Sequence, residues 1–347
     1  MHYHLFISYK QDYMKNKHIT IFIENDSHYR FVSKLVEILY KENKLRIISL
    51  EHLSDLFDHE NISLSVFSHS KELISSLLNL ECDLFFTTTP GLNSSSFPKS
   101  KISPKNKRPK YIYLFHSLVS PNEMYSKNSF YNFDYIISPS ETVGEQLKFL
   151  VRKKTKILNF GYLLFDNMEA YSFKNYKEKV LIAPSWGDQG LSKNLSAIQK
   201  IIKSIESIKL DAVFRPHPMN IDNFGDEKFL DNCEIDLNLD LKNLQDYKFL
   251  ITDCSGIALE YYFLTERPVL FINVPKKRKR NLTFAEKKLN LIEDDMKNMI
   301  GTIIEPDEID KNNIIPYIDN LKQARNFIDG VCISENVLEK IVNYDFN

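Results

Sequence analysis

The sequence predicts two α/β domains, each built around a parallel β-sheet, and three observations lead to this prediction. The chain has 347 residues, a length that suggests two domains. Its hydrophobic fraction of 43% is enough for two packed cores. Short apolar runs alternate with amphipathic helical segments in both halves of the chain. This alternation is typical of parallel sheets that are covered by helices on both faces.

The first half contains six apolar, β-rich runs. We predict strands at His18–Asn25, Leu45–Glu51, Ile62–Phe67, Cys82–Gly91, Tyr111–Ser117 and Phe133–Ser140. Between them, Ser27–Lys41 carries apolar residues at helical spacing behind a capping serine, and Lys71–Leu80 has a helical pattern. The stretch Gly91–Lys110 is rich in Ser, Pro, Asn and Lys, which predicts a surface loop.

The second half repeats this arrangement. The predicted strands are Lys179–Ser185, Asp211–Pro218 (ending at Pro216), Phe249–Gly256 and Pro268–Pro275; the predicted helices are Leu191–Ile208, Ile257–Thr265 and Ile314–Tyr344. The polar stretch Asp166–Lys179 suggests a boundary, with domains at 1–170 and 171–347. Ligands of such sheets bind at the carboxyl ends of the strands, so we expect the two domains to face each other across a cleft.

Composition excludes several classes of protein. The 45 Lys and Arg nearly balance the 46 Asp and Glu, giving a net charge of -1, which argues against a protein that coats nucleic acid. There are nine glycines and no glycine-rich phosphate loop. The four cysteines form no CxxC pair, which suits a reducing compartment. Without a signal peptide or a long apolar run, we expect a cytoplasmic protein, at most peripheral to the inner face of the cell membrane.

Three segments at predicted strand ends carry polar residues of functional types: Phe115–Ser117, Phe214–Pro218 and Thr252–Gly256. Only two histidines follow residue 100, His116 and His217, and each lies at the end of a strand. A histidine in such a place either acts as a base or phosphate-binding cation, or is a buried residue that satisfies the strand end.

Arg215 and His217 alternate with two prolines, Pro216 and Pro218, which stop the strand. We expect the prolines to direct both side chains outward. A guanidinium and an imidazole together form a good receptor for phosphate oxygens. The alternative is an arginine salt bridge within a rigid turn.

The stretch Thr252–Phe271 is the most specific one. A strand ends at Asp253, and Ser255 and Gly256 open a helix whose free N–H groups can bind phosphate. Ser255 would add a donor, Gly256 would allow close approach of the anion, and Glu260 would accept hydrogen bonds from ribose. Alternatively, Ser255 is only a helix cap and Asp253 a structural hydrogen-bond partner.

A further strand-to-helix turn, Ala183–Ser192, holds Ser185 and the single tryptophan, Trp186. We include both residues among the candidates for donor binding. Trp186 either lines a base or sugar pocket or fills the surface between the domains.

These segments together resemble the CDP-glycerol:poly(glycerophosphate) glycerophosphotransferases, which build polymers of the teichoic-acid type. The resemblance covers about Tyr111–Pro275 and rests on the strand ending in histidine, on Arg215–Pro218, and on the Asp253–Phe271 segment with its helix and following strand. Phe160–Met168 is similar to the family segment before the interdomain crossover. The resemblance implies the GT-B architecture, two Rossmann-like domains that face across a cleft.

Residue by residue, the resemblance implies the following roles. His116 would be the base for the acceptor hydroxyl; Arg215 and His217 would stabilise the donor pyrophosphate; Ser255 and Gly256 would hold phosphates, Glu260 the ribose, and Asp253 would orient the turn. The sequence departs from the family at Ser117, Cys254 and Gly256, where the family usually has Gly, Tyr and Ser.

The function expected from this resemblance is transfer of glycerol phosphate or ribitol phosphate from a CDP-activated donor to a surface polymer or lipid-linked glycan. Two alternatives remain: a GT-B glycosyltransferase that uses a sugar nucleotide in capsule or lipopolysaccharide synthesis, and an inactive nucleotide-binding subunit. We expect no cofactor and no catalytic metal, since the nearest acidic pair, Asp294–Asp295, has the pattern of a solvated helix surface.

Three basic runs stand apart from these motifs: Lys105–Lys110, Arg152–Lys156 and Lys276–Arg280. Such runs are usually solvated loops. If the acceptor is lipid-linked, as the resemblance implies, the same runs would dock the protein on an anionic membrane.

Overall fold

The structure is a computed structural model, and it divides the chain into two compact units. The residues that it describes are 14–53, 56, 58–101, 108–166, 176–187, 190–218, 220, 233–238, 241–275, 282–283, 285–289, 291–333 and 335–347. The first unit comprises 1–116, 127–167 and 333–347, and the second comprises 117–126 and 168–332. Among the described residues, no helix is long and apolar enough to cross a membrane.

The described part of the chain forms thirteen strands and ten α-helices. The strands are β1 His18–Ile23, β2 Lys44–Ser49, β3 Ile62–Val66, β4 Leu84–Thr87, β5 Lys110–Leu114, β6 Tyr135–Ile137, β7 Lys156–Leu158, β8 Lys179–Ile182, β9 Asp211–Phe214, β10 Glu234–Ile235, β11 Phe249–Thr252, β12 Val269–Ile272 and β13 Gly301–Ile304. The helices are α1 Asp26–Tyr29, α2 Ser33–Leu39, α3 Ser70–Leu78, α4 Pro121–Met124, α5 Glu141–Leu147, α6 Leu195–Ser207, α7 Ile257–Thr265, α8 Ile292–Met299, α9 Leu321–Val331 and α10 Val337–Val342.

Each unit is built on one parallel sheet. The first sheet has the order β3-β2-β1-β4-β5-β6-β7, and the second has the order β10-β9-β8-β11-β12-β13. Every pairing among these strands is parallel. The strand order reverses between β1 and β4 in the first sheet and between β8 and β11 in the second. Such reversal points are where ligands bind in open α/β sheets.

The central strands are apolar and are buried on both faces, as is typical of parallel sheets. All four residues of β4, β11 and β12 are buried, and five of the six residues of β1 are buried. Helix α6 buries one face, on which Ile198, Ile201 and Ile205 lie in the core of the second unit. The predicted α/β class, with two parallel sheets, is confirmed.

The prediction of the first helix is wrong about where the helix starts and about its being a single helix. Two short helices, α1 and α2, replace the single helix predicted over Ser27–Lys41. Asn25 is the cap of α1, because its side-chain oxygen accepts a hydrogen bond from the His28 N–H at 3.1 Å. Ser27 instead donates its hydroxyl to Asn25, at 2.6 Å.

The end of the chain lies with the first unit, whereas the sequence analysis assigned 171–347 to the second domain. The Asp166 carboxylate accepts hydrogen bonds from the N–H groups of Val337 and Leu338, at 2.7 and 2.9 Å, and so holds the start of α10. Ile341 and Phe346 are buried in the core of the first unit. The predicted closing segment Ile314–Tyr344 therefore divides into α9 in the second unit and α10 in the first. Most of the predicted boundary stretch lies outside the described residues.

Candidate functional site

The candidate residues of the second unit follow three adjacent strands at the point where the sheet order reverses. Ser185 and Trp186 follow β8, Arg215 and His217 follow β9, and Asp253–Gly256 follows β11. Because parallel strands end at the same edge of a sheet, segments that are far apart in the sequence meet there. The contacts below show how they are joined.

Asp253 joins the β8 and β11 turns through four hydrogen bonds. One carboxylate oxygen accepts from the N–H groups of Ser185 and Cys254, both at 2.8 Å. The other accepts from the Ser185 hydroxyl at 2.8 Å and from the Leu191 N–H at 3.0 Å. Asp253 is completely buried. These contacts have a structural role. The carboxylate orients the turn and accepts the hydrogen bond that the Ser185 hydroxyl donates.

The start of α7 leaves amide groups open. Gly256 occupies the cap position in a helical conformation, and no side chain caps the helix. The alternative that Ser255 is the side-chain cap is therefore wrong. Within the described residues, the N–H groups of Ser255, Gly256 and Ile257 donate to no acceptor. Three open amides and the helix dipole form a partial positive charge at this edge of the sheet.

A neighbouring backbone leaves little space for a side chain at Gly256. A Cβ atom at this position would lie 3.3 Å from the Leu118 carbonyl oxygen and 3.5 Å from its nitrogen. Leu118 belongs to the segment 117–126, which is part of the second unit. We expected Gly256 to allow the close approach of an anion, but the group that lies close to it is the backbone of Leu118.

Arg215 is not directed outward as predicted, since only 5% of it is exposed. Its Nε and Nη2 groups donate to one carboxylate oxygen of Asp236, at 3.2 and 2.5 Å, and the Tyr247 hydroxyl donates to the same oxygen at 2.7 Å. Burial opposes ionisation of Asp236, but the hydrogen bonds from Arg215 and Tyr247 outweigh it and lower the pKa of the carboxyl. The observed arrangement is the arginine salt bridge that we considered as the alternative.

His217 is half-buried and contacts Trp186, with ring centroids 6.3 Å apart and planes at 47°. Its carbonyl accepts a hydrogen bond from the Asn220 N–H at 2.8 Å. Trp186 directly follows Ser185, which is bonded to Asp253. Contacts therefore connect the turns that follow β8, β9 and β11. Within this set of contacts, His217 and Trp186 are partly exposed to solvent.

Glu260 lies on α7 and is 6% exposed. Burial raises the pKa of the Cys332 thiol well above its usual value, and the negative charges of Glu260 and Asp329 add to this effect. Glu260 is therefore near Cys332 in the interior of the second unit. A ribose contact by this residue stays a prediction.

The segment after His116 is held in the second unit by a pair of hydrogen bonds. The Ser120 N–H donates to Glu293 at 2.8 Å, and the Ser120 hydroxyl accepts from the Ile292 N–H at 2.9 Å, so Ser120 caps α8 from outside the helix. Burial raises the pKa of Glu293; hydrogen bonds from Ser120 oppose the increase, and the charge of Glu123 adds to it. Sequence reasoning missed this pair because it joins residues far apart in the chain.

We predict that Glu293 makes stability depend on pH. Since the folded pKa lies above the ordinary value of 4.5, its contribution is fully present below pH 4.5 and is lost as pH rises through the folded pKa. Glutamine keeps the acceptor for Ser120 and cannot ionise. We therefore measure the free energy of urea unfolding for the wild type and Glu293→Gln and plot it against pH. As pH rises from acidic to neutral, the wild type should lose stability relative to the variant. Parallel curves would contradict the assignment.

In the first unit, His116 follows β5 and lies in a group of aromatic and polar residues. Its Nδ1 is 3.2 Å from the Tyr113 hydroxyl, and its ring is 4.8 Å from the His28 ring and 6.0 Å from the Phe31 ring, centroid to centroid. Burial and, to a smaller extent, the charges of His28 and Arg30 lower the pKa of His116 to about 3, against the opposing effect of a hydrogen bond to the Thr88 backbone. His116 is therefore neutral at physiological pH.

His28 is a candidate site residue that the sequence analysis missed. It lies on α1, directly after β1, and its Nδ1 is 3.3 Å from the Thr88 hydroxyl. Burial lowers the pKa of His28, Glu24 opposes this, and Arg30 adds to it. His28, Thr88 and His116 follow β1, β4 and β5, the strands at the reversal point of the first sheet. The signal in the sequence was its position three residues after a strand-ending Asn25.

Among the described residues, no group of three or more His, Cys, Asp and Glu is arranged to hold a metal ion. Asp294 and Asp295 lie in the first turn of α8 and are half-buried, less solvated than expected. Burial raises the pKa of Asp295, and the charge of Asp294 adds to this. The basic run Lys276–Arg280 lies outside the described residues, as does the first half of Lys105–Lys110.

Comparison with solved structures shows which proteins share this fold. A histidine-to-alanine variant of the wall teichoic acid polymerase TagF aligns with a TM-score of 0.61 and 15% identity, over 96% of this chain and 87% of that chain. A TagF structure soaked with CDPG aligns with a TM-score of 0.61 and 16% identity, over 97% and 89%. S. aureus MnaA, solved with UDP, aligns with a TM-score of 0.55 and 15% identity, over 94% and 95%.

A UDP-N-acetylglucosamine 2-epimerase from Rickettsia bellii also aligns, with a TM-score of 0.54 and 13% identity over 93% of this chain and 94% of that chain. No family model and no curated protein sequence matches this chain. The chain has the GT-B fold, two Rossmann-like units, as the resemblance implied. The wall teichoic acid polymerase TagF is among these structural neighbours, and the family that the motifs resemble builds polymers of the teichoic-acid type.

Proposed function

We propose that this protein is a transferase that binds a nucleotide-activated donor in its second unit. The observation that carries the proposal is the open start of α7, where three amides at the reversal point of the second sheet have no acceptor among the described residues. A helix N-terminus of this kind binds phosphate through N–H groups and the helix dipole. The buried Asp253 holds this turn and the Ser185 turn together, so the amides are positioned before a ligand arrives.

His217 and Trp186 complete the proposed donor site. Transfer of a polyol phosphate from a CDP-activated donor breaks the bridging P–O bond of the diphosphate and releases CMP, so negative charge develops on the departing phosphate. The His217 imidazole at the end of β9 would donate a hydrogen bond to that phosphate. Trp186, in contact with His217, would form a wall for the base or for the transferred group. We propose that Arg215 stays with Asp236 and supports the turn that presents His217.

The acceptor hydroxyl needs a base, and we propose His116 for this role with His28 beside it. Both imidazoles are neutral at physiological pH, which is the form that accepts a proton. An anionic substrate bound near the pair would raise both pKa values and so strengthen the base. The Tyr113 hydroxyl and the Thr88 backbone hold the His116 ring.

For the donor, we propose a CDP-activated polyol phosphate. The motif resemblance and the fold shared with TagF, which was solved after soaking with CDPG, support this choice. The fold shared with MnaA, which was solved with UDP, favours the second candidate, a sugar-nucleotide transferase. An acceptor on a surface polymer or lipid-linked glycan follows from the resemblance alone.

A donor screen tests the proposal. Thermal unfolding is measured with CDP-glycerol, CDP-ribitol and UDP-, GDP- and CMP-sugars, since a ligand that binds the folded state raises the unfolding temperature. We expect the largest increase with a CDP-polyol, and its loss in His217→Ala. An increase with a UDP- or GDP-sugar alone selects the second candidate. Binding without turnover on any acceptor indicates an inactive subunit, and no increase with any nucleotide contradicts the proposal.

We further propose that catalysis requires no metal ion, because the helix dipole and a hydrogen bond from His217 would stabilise negative charge where a cation would otherwise act. Turnover with the donor found in the screen should be unchanged after EDTA treatment and dialysis. Loss of turnover with EDTA, restored by Mg²⁺, would contradict this prediction.

A further inference from the structure

The segment 117–126 forms a compact loop of the second unit, and we call it the strap. The hydroxyl groups of Ser117 and Tyr125, near its two ends, lie 3.4 Å apart, and the Ser120 carbonyl accepts a hydrogen bond from the Glu123 N–H at 3.2 Å. Ser120 is completely buried. The strap is therefore a packed element of this unit rather than a surface loop.

The strap contacts the start of α8. The cap position of this helix is Leu291, whose side chain makes no capping hydrogen bond. The Ser120 hydroxyl serves instead: it accepts a hydrogen bond from the Ile292 N–H at 2.9 Å, while the Ser120 N–H donates to a carboxyl oxygen of Glu293 at 2.8 Å. Glu293 is buried as well. We call these two hydrogen bonds the anchor, because they fix the strap to α8.

The strap also contacts the start of α7. A Cβ atom at Gly256 would lie 3.3 Å from the Leu118 carbonyl oxygen, so the two backbones pack together. In the part of the chain that the structure describes, this oxygen nevertheless accepts no hydrogen bond from α7. The strap therefore caps α8 but leaves the α7 amides open. This difference favours a ligand as the acceptor for the α7 amides, because the chain already supplies a cap to the other helix.

The first turn of α7 depends on few hydrogen bonds. The Ala258 N–H donates to the Ser255 carbonyl at 3.1 Å, and the Leu259 N–H donates to the Gly256 carbonyl at 3.0 Å. The ends of helices fray easily, and a frayed turn would separate the three open amides. Since groups that are held in place before a ligand arrives bind it more tightly, the packing of Leu118 against Gly256 should strengthen phosphate binding.

We propose that Ser120 and Glu293 are positioning residues for the donor phosphate. They act through the anchor and the strap, which hold the first turn of α7 in its phosphate-binding conformation, and neither residue has to touch the donor. The inference rests on the proposed function, because it assigns the α7 amides to the phosphate. It gives this buried pair, which joins distant segments, a role in binding as well as in stability.

Titration with CDP and hydrogen–deuterium exchange test this inference on the full chain at neutral pH. Ser120→Ala removes the cap of α8, and Glu293→Ala removes the acceptor of the Ser120 N–H, so each variant breaks one bond of the anchor. If one of them does not fold, the other still decides.

Two control variants accompany them. Glu293→Gln is the matched control, since glutamine keeps the acceptor for Ser120. Ile198→Val removes a buried methyl group from α6, which takes no part in the anchor, and lowers overall stability. Thermal unfolding shows whether each variant is folded at the temperature of the assay.

We expect Ser120→Ala and Glu293→Ala to raise the dissociation constant for CDP about 2–30-fold, the range for residues that act on a site through packed contacts. Without ligand, the amides of Ala258 and Leu259 should exchange faster in both variants than in the wild type. The two controls should match the wild type in both measurements.

The outcomes separate this inference from the proposed function. No binding of CDP by the wild type would contradict the proposed function and this inference with it. Binding by the wild type, with the same dissociation constant in Ser120→Ala and Glu293→Ala, would overturn the inference alone. Equal weakening in Glu293→Gln or Ile198→Val would also overturn it, because the loss would then follow the carboxyl charge or overall stability rather than the anchor.

Discussion

Replacing His116 with alanine should reduce turnover about 10²–10⁴-fold, the usual contribution of a positioned general base. Donor affinity should change little, because the proposed donor residues belong to the second unit and His116 belongs to the first. The expected result is therefore a lower kcat with a nearly unchanged dissociation constant for the donor. Steady-state kinetics, together with titration of the donor, measure the two quantities.

The matched control for this variant is His52→Ala, since His52 is an exposed histidine of the same unit. It should leave both quantities unchanged. His28→Ala should lower turnover as well, because His28 contacts the His116 ring and shares Thr88 with it. Near-normal turnover in His116→Ala would remove this residue from the proposed mechanism.

Replacing Asp253 with alanine should destabilise the second unit by about 4 kcal/mol or more. The carboxylate accepts four hydrogen bonds in a fully buried place, and its loss leaves the N–H groups of Ser185, Leu191 and Cys254 and the Ser185 hydroxyl without their acceptor. Each buried group left unpaired costs about 1–3 kcal/mol. The total approaches the stability of a typical domain, so the variant should unfold at much lower urea concentration.

Two further variants calibrate this result. Asp253→Asn keeps one carbonyl oxygen and should lose less stability than Asp253→Ala, because part of the hydrogen bonding survives. Asp211→Ala removes an exposed aspartate at the start of β9 and should change the free energy of unfolding by less than about 0.5 kcal/mol. A loss in Asp253→Ala no larger than that in Asp211→Ala would contradict the structural role.

The sequence predicted the central strands well, and with them the position of the motifs that follow β8, β9 and β11. β11 begins at the predicted Phe249, and α7 has the predicted bounds Ile257–Thr265. Both follow from local signals: an apolar run, a polar turn with Gly256, and a long apolar helix. Because ligand-binding residues follow strands in such sheets, correct strands were enough to bring Ser185, Arg215, His217 and Asp253 to one edge.

What the sequence could not predict depends on contacts between distant segments. The partner of Arg215 is Asp236, which follows the two-residue strand β10, too short to show a pattern. The sequence did not distinguish His28 from the other histidines of the first hundred residues. Its contact with His116 forms only when β1 and β5 lie in one sheet.

The end of the chain was misassigned for a similar reason. The sequence of α10 does not indicate which core the helix joins, whereas the hydrogen bonds that Asp166 accepts from Val337 and Leu338 hold it in the first unit. The short strands β7 and β13 were missed because most of their residues are only partly buried, so neither carries a continuous apolar signal.

The central claim is that the carboxyl ends of β8, β9 and β11 bind the diphosphate of an activated donor. Hydrogen–deuterium exchange with and without CDP measures this directly, because the amides of Ser255, Gly256 and Ile257 have no acceptor in the described protein and should exchange quickly until a phosphate covers them. We expect protection of these amides and of the turns that hold Ser185 and His217. Protection confined to the first unit, or none at saturating CDP, would contradict the account.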